Sequence, residues 1–91
     1  MKVFNNLEEM KPYYNEETNT YKFVENNKLI DIDIRFNLDV ESNINACNIN
    51  ALDINARNIN AWNINSRNIK ALDIIFYAVC FAYKNFFKRS S

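Results

Sequence analysis

The chain has 91 residues, no net charge and a 48% hydrophobic content, which bounds it to one small domain with a modest core. It holds no glycine and no histidine, so Gly-rich phosphate loops and histidine-based acid–base, nucleophilic or zinc chemistry lack the residues they need. Charge is divided along its length: residues 1–41 carry nine acids against five bases and residues 42–91 two acids against six, a polarity that suits head-to-tail association or a charged partner.

From the N-terminus, Asn5-Asn6-Leu7-Glu8-Glu9-Met10-Lys11 predicts a short helix. Asn supplies the cap, the acids meet the positive helix end, and Pro12 stands near its stop. Residues 20–25 and 28–30 flank Asn26-Asn27, a pair that tolerates the left-handed backbone of a tight turn, and so predict a β-hairpin. Ile30, Ile32, Ile34, Phe36, Leu38 and Val40 then alternate with Asp31, Asp33, Arg35, Asn37, Asp39 and Glu41. This predicts one strand with an apolar face and an acidic face, the acids being either solvated or offered to a partner.

From Ser42 the period changes to five: Ile44, Ile49, Ile54, Ile59, Ile64, Ile69 and Ile74. On a helix a five-residue step turns about 140°, which makes no apolar stripe. In a flat strand an odd step alternates faces. A chain that bends once per unit and sends every isoleucine to one interior satisfies the pattern, which is the logic of a β-solenoid. Ala46, Ala51, Ala56, Ala61, Ser66 and Ala71 lie two residues after an isoleucine and share its inward face. The next slot holds Cys47, Leu52, Arg57, Trp62, Arg67 and Leu72, and its arginines require it to face outward or to form a corner. Asn and Asp fill most of the rest and turn the chain without glycine.

The run of five-residue units in residues 42–75 resembles the pentapeptide-repeat proteins, although its inward residues read Ile-x-Ala where that family reads Ala-x-Leu. The resemblance implies a right-handed quadrilateral coil in which units twenty residues apart stack, and Ala51-Leu52-Asp53-Ile54 does recur as Ala71-Leu72-Asp73-Ile74. With the following Tyr77-Ala78-Val79-Cys80-Phe81-Ala82-Tyr83-Lys84, the repeat also resembles small phage and prophage proteins of low-GC bacteria. That likeness implies a role in conflict with host defences, of which anti-CRISPR activity is the most specific form.

The fold expected is mainly β: a short pentapeptide-repeat-like β-solenoid in one domain. The helix and hairpin of residues 1–41 cap the repeats of 42–75 at one end, and an aromatic segment with a basic tail, 76–91, caps the other. So thin a solenoid needs caps or neighbours to bury its ends. Phe76, Phe81 and Phe86 continue the alanine slot with a larger side chain, and with Tyr77 and Phe87 they are the candidates for homodimerisation.

No catalytic constellation, cofactor or metal site is expected. Asp31 and Asp33 sit on a polar strand face, and Cys47 and Cys80 have neither CxxC spacing nor a base. The partner-binding candidates are Asp31, Asp33, Asp39 and Glu41 on the acidic strand, and Arg57, Trp62 and Arg67 in the outward slot. Basic residues around a tryptophan are a footprint for single-stranded nucleic acid, but successive units would place them on different sides, so direct nucleic-acid binding is not favoured. The expected function is that of a non-catalytic inhibitor that binds a host nucleic-acid-processing or defence complex. The alternatives are a self-assembling structural module and a DNA-mimic topoisomerase binder, the latter weakened by zero net charge. Residues 1–11 show no apolar signal core, and the apolar run 74–83 is about half the ~20 residues needed to span a bilayer, so a cytoplasmic protein, in the host cell if phage-encoded, is expected.

Overall fold

The computed structural model describes residues 1–86, and of 76–86 the backbone alone. It is mainly β, a curled open sheet closed at its N-terminal end by a 3-10 helix and aromatic side chains. In chain order the strands are β1 (Lys2–Phe4), β2 (Tyr14–Asn15), β3 (Thr20–Lys22), β4 (Val24–Glu25), β5 (Lys28–Leu29) and β6 (Ile32–Ile34). Then come β7 (Leu38–Asp39), β8 (Asn43–Asn45), β9 (Asn48–Asn55), β10 (Asn58–Lys70) and β11 (Asp73–Phe86). Among the described residues no helix is long and apolar enough to cross a membrane.

The repeat pairs with itself in parallel at an offset of fifteen residues: Ile59 lies against Ile44, Ile64 against Ile49, Ile69 against Ile54, and Ile74 against Ile59. The twenty-residue stacking implied by the family resemblance is therefore not the observed register. Paired strands of the repeat are thus three five-residue units apart in sequence, where the resemblance implies four. The inward set follows the expected pattern. All seven repeat isoleucines are at most 2% exposed, and Ala46, Ala51, Ala56, Ala61, Ser66 and Ala71 are buried beside them. Burying each isoleucine contributes about 1.5–3 kcal/mol, so this file of side chains is the main source of stability. Ser66, the one hydroxyl in the small slot, donates to the Asn68 carbonyl at 2.9 Å, which removes the cost of burying it.

The N-terminal cap is built as its residues suggest, with two corrections. Asn6 caps the 3-10 helix Leu7–Tyr13 by accepting the Glu9 backbone N–H at 3.1 Å, and the Glu9 carboxylate accepts the Asn5 N–H at 2.7 Å. Asn26 and Asn27 take φ of 53° and 63° in the turn between β4 and β5. The hairpin is shorter than expected, however, because Thr20–Lys22 leaves it to pair with β2 and β8. The single acidic strand is also broken: β6 and β7 are separate, and the chain bends at residues 35–37 between them. Each then pairs with a different part of β9.

Phe4, Met10, Tyr13, Tyr21 and Phe23 close this end of the sheet. Phe4 and Phe23 have ring centroids 5.2 Å apart, and Tyr13 lies 5.7 Å from Phe4 and 5.2 Å from Phe23. Lys2–Phe4 joins β6 in parallel and brings Phe4 into this cluster. Asn19, at φ 52°, fastens the cap to the start of the repeat: its amide donates to the Glu41 carbonyl at 2.9 Å, and its oxygen accepts from Ser42 Oγ at 2.7 Å.

Candidate partner-binding surfaces

The slot after each small residue is exposed except at half-buried Cys47; the chain breaks from strand at Cys47, Arg57 and Leu72 and runs on as strand through Leu52, Trp62 and Arg67, and residues of this slot from successive passes meet at three places, the first, second and third bends. At the first bend the Cys47 N–H donates to the Ile30 carbonyl at 2.9 Å and the Trp62 N–H to the Cys47 carbonyl at 2.7 Å. At the third bend Arg57 donates to Ser42 at 2.9 Å and Leu72 to Arg57 at 2.8 Å. The second bend carries Leu52 and Arg67. The seven candidate binding residues are thereby distributed over all three bends instead of forming one surface.

Around the first bend lie Asp31 and Trp62, while Asp33, in register with Asn50, sits between the first bend and the second. Asp31 accepts the Asn48 side-chain amide at 2.8 Å, while Asp33 is buried and held by Arg35 Nε at 2.9 Å. These two carboxylates are thus structural acceptors as much as surface charges. A shallow hollow of about 530 Å³ runs past Met1, Leu29, Ile30 and Cys47, and Trp62, 52% exposed, stands one strand beyond Cys47. Burial pushes the Cys47 thiol up from its ordinary range, and a hydrogen bond to the Asp31 carboxylate adds to the shift, so the thiol is a poor nucleophile at neutral pH.

At the second bend Arg67 is committed to Asp53, with Nη2 to Oδ2 at 2.9 Å and Nε to Oδ1 at 3.4 Å. This hydrogen-bonded pairing holds the guanidinium charged still more firmly than usual. Arg67 is therefore a clamp across adjacent strands, and it is not brought near Arg57.

The third bend gathers Asp39, Glu41 and Arg57. They line a groove of about 650 Å³ together with Lys70 and Leu72, which sequence reasoning did not select. Register fixes their order. Asp39 lies against Asn55 and Asn55 against Lys70, forming one wall, while the backbone stack to Arg57 and Leu72 forms the other. Ala56 and Ala71 form a low floor between them, and Leu72 is 62% exposed at the far end. The acids stand at one end of the groove and a base and Leu72 at the other. The signal for this grouping is the fifteen-residue offset, which stacks residues 42, 57 and 72 and sets Glu41 beside them, but is invisible in a five-residue period.

The side chains of Phe76, Tyr77, Phe81 and Phe86, and all of Phe87, lie outside the described residues. Among the described residues no three His, Cys, Asp or Glu side chains group as ligands for a metal ion. No protein family, curated protein or solved structure matches the chain.

Proposed function

We propose that the curled parallel sheet is a short three-sided β-solenoid, one coil per fifteen residues, and that it serves as a non-catalytic scaffold presenting Trp62 to a host protein. The resemblance to phage and prophage proteins makes a host nucleic-acid-processing or defence complex the partner class, with anti-CRISPR inhibition its most specific form. The solenoid reading is supported by the fifteen-residue register and by the small residue beside each bend. Where two sides of a triangular coil converge at a sharp angle there is room for alanine or serine but not for isoleucine.

The observation that carries the binding role is Trp62. It is 52% exposed, and its backbone is fixed by the bond to Cys47, so the ring can be buried by a partner with little loss of backbone freedom. Exposed Met1 and half-buried Ile30 extend an apolar strip along the same bend. A CRISPR interference assay in a low-GC bacterium tests the inhibitor directly. Expression of the chain is expected to restore transformation by a targeted plasmid, and Trp62→Ala to abolish that effect while leaving the thermal unfolding midpoint within a few degrees of wild type. Affinity capture from the same cells should recover a defence-complex subunit with the wild type only. If neither plasmid survival nor capture differs between wild type and an empty control, the inhibitor reading fails.

A further inference from the structure

The third-bend groove has charge order along its length, and on the wall that holds Asp39 and Lys70 that order is self-complementary. Among the described residues, Asp39 and Lys70 occupy the two ends of one wall with Asn55 between them, in adjacent parallel strands. At ~4.8 Å per strand, the two charges stand about 10 Å apart along the stacking direction. On the other wall Ser42, Arg57 and Leu72 follow one another through backbone bonds in the same direction, with Glu41 beside Ser42 at the acidic end. A two-fold axis perpendicular to the groove reverses one copy relative to the other and sets each end against its opposite.

We propose that this groove is an isologous dimer interface whose occupant is a second copy of the chain. Each Asp39 then faces Lys70 of the partner subunit, and the two Arg57 guanidiniums meet near the axis, where each is flanked by Glu41 of the partner subunit. Parallel alignment of the grooves sets Asp39 against the partner subunit's Glu41 and is disfavoured by like charge. The alanine floor lets the walls approach closely, and Leu72 loses its 62% exposure at each end of the contact. Host binding through Trp62 is not required by this arrangement, since Trp62 lies on a different bend.

Sedimentation velocity on the full chain at low salt tests the interface. Wild type is expected at twice the chain mass, shifting toward once the chain mass as salt is raised. Asp39→Lys and Lys70→Asp each place like charges across the axis and should yield monomer. Mixing those two variants should restore a dimer, because the two substituted positions carry opposite charges and face each other at one end of the heterodimer, while the unaltered Asp39 and Lys70 meet at the other. Leu72→Glu, at an exposed position that the fold does not need, should also weaken the dimer and covers the case in which a charge swap unfolds the chain. Circular dichroism confirms folding of each variant. A monomeric wild type at low salt, a dimer unaffected by the swaps and by Leu72→Glu, or folded swap variants that stay monomeric when mixed would each overturn the proposal.

Discussion

Asn48 donates its side-chain amide to the Asp31 carboxylate at 2.8 Å, and its own side-chain oxygen accepts from Asn63 at 2.7 Å. The same polarity recurs along the sheet. Asn58 donates to Asn43, Asn68 to Asp53 and Asn55 to Asp39, each amide pointing toward the N-terminal end. A carboxylate is an acceptor without a proton to give, so an aspartate at the end of a file of amides fixes the direction in which all of them donate. Of the acids that the sequence offers as a partner-facing surface, Asp31 and Asp39 are the ends of such files, as is Asp53 within the repeat.

Asp31→Ala is therefore expected to destabilise the fold by about 1–2 kcal/mol, the cost of leaving a half-buried donor unmet. Asp31→Asn should lose much less, because an amide oxygen still accepts from Asn48. Thermal unfolding of the two variants measures the difference, and equal losses would show that charge at residue 31, and not its acceptor role, is what matters.

The inward Ile/Ala pair predicts a steep size dependence. Ile64 is fully buried between Ile49 and the next strand, so Ile64→Ala should cost about 2–5 kcal/mol and Ile64→Val about 0.5–1.5. Ala61→Leu should also destabilise, by about 1–3 kcal/mol, because the place beside a bend has no room for a larger side chain. Urea unfolding checks all three. An Ala61→Leu variant as stable as wild type would contradict the tight packing assigned to that slot.

The direction each repeat residue faces is legible in the sequence because it depends only on local spacing. Ile64 must share an interior with Ala61 and Ser66, and an arginine at 57 or 67 must face outward. The partner of each unit is not legible, because Asn-Ile-Asn-Ala matches itself at any multiple of five. The Ala-Leu-Asp-Ile recurrence at twenty residues has no counterpart in the observed pairing at fifteen. The bend at residues 35–37 is hidden for a related reason: apolar and polar residues keep alternating through it, so the pattern of a single strand survives the break between Ile34 and Leu38. The third-bend groove depends on both of these long-range facts, which is why Lys70 and Leu72 carry no signal of their own.

Among the described residues, Tyr13, Tyr21 and Cys47 tie stability to alkaline pH. Tyr13 is raised above the ordinary tyrosine range by the hydrogen bond it donates to Glu25 and then by burial; Tyr21 is raised by burial and then by Tyr14; Cys47 is raised by burial and then by Asp31. Each group binds its proton more tightly in the folded chain than in the unfolded one. Their contribution is present in full below the unfolded values, ~8.5 for cysteine and ~10 for tyrosine, and is lost as pH rises through the folded values. The urea midpoint should therefore fall from about pH 9 upward, and Tyr21→Phe should make that fall shallower. A midpoint that rises between about pH 9 and pH 11 would refute the assignment.

Thiol chemistry at Cys47 tests the contact with Asp31 from the other side. In a Cys80→Ser background, alkylation of Cys47 by iodoacetamide at about pH 8 should be slower than that of an unfolded control, because the reactive species is the thiolate and the fold keeps the thiol protonated. Asp31→Asn removes the neighbouring negative charge and should speed the reaction, moving the midpoint of its rate–pH profile downward toward the ordinary cysteine value. Asp33→Asn serves as the control, since that carboxylate is held by Arg35, just past the end of β6, and leaves the Asp31 contact intact. If both substitutions change the rate equally, the effect is a general loosening of the sheet. If Asp31→Asn alone changes it, the carboxylate acts on the thiol directly, and the first bend is as closely packed as its backbone bonds imply.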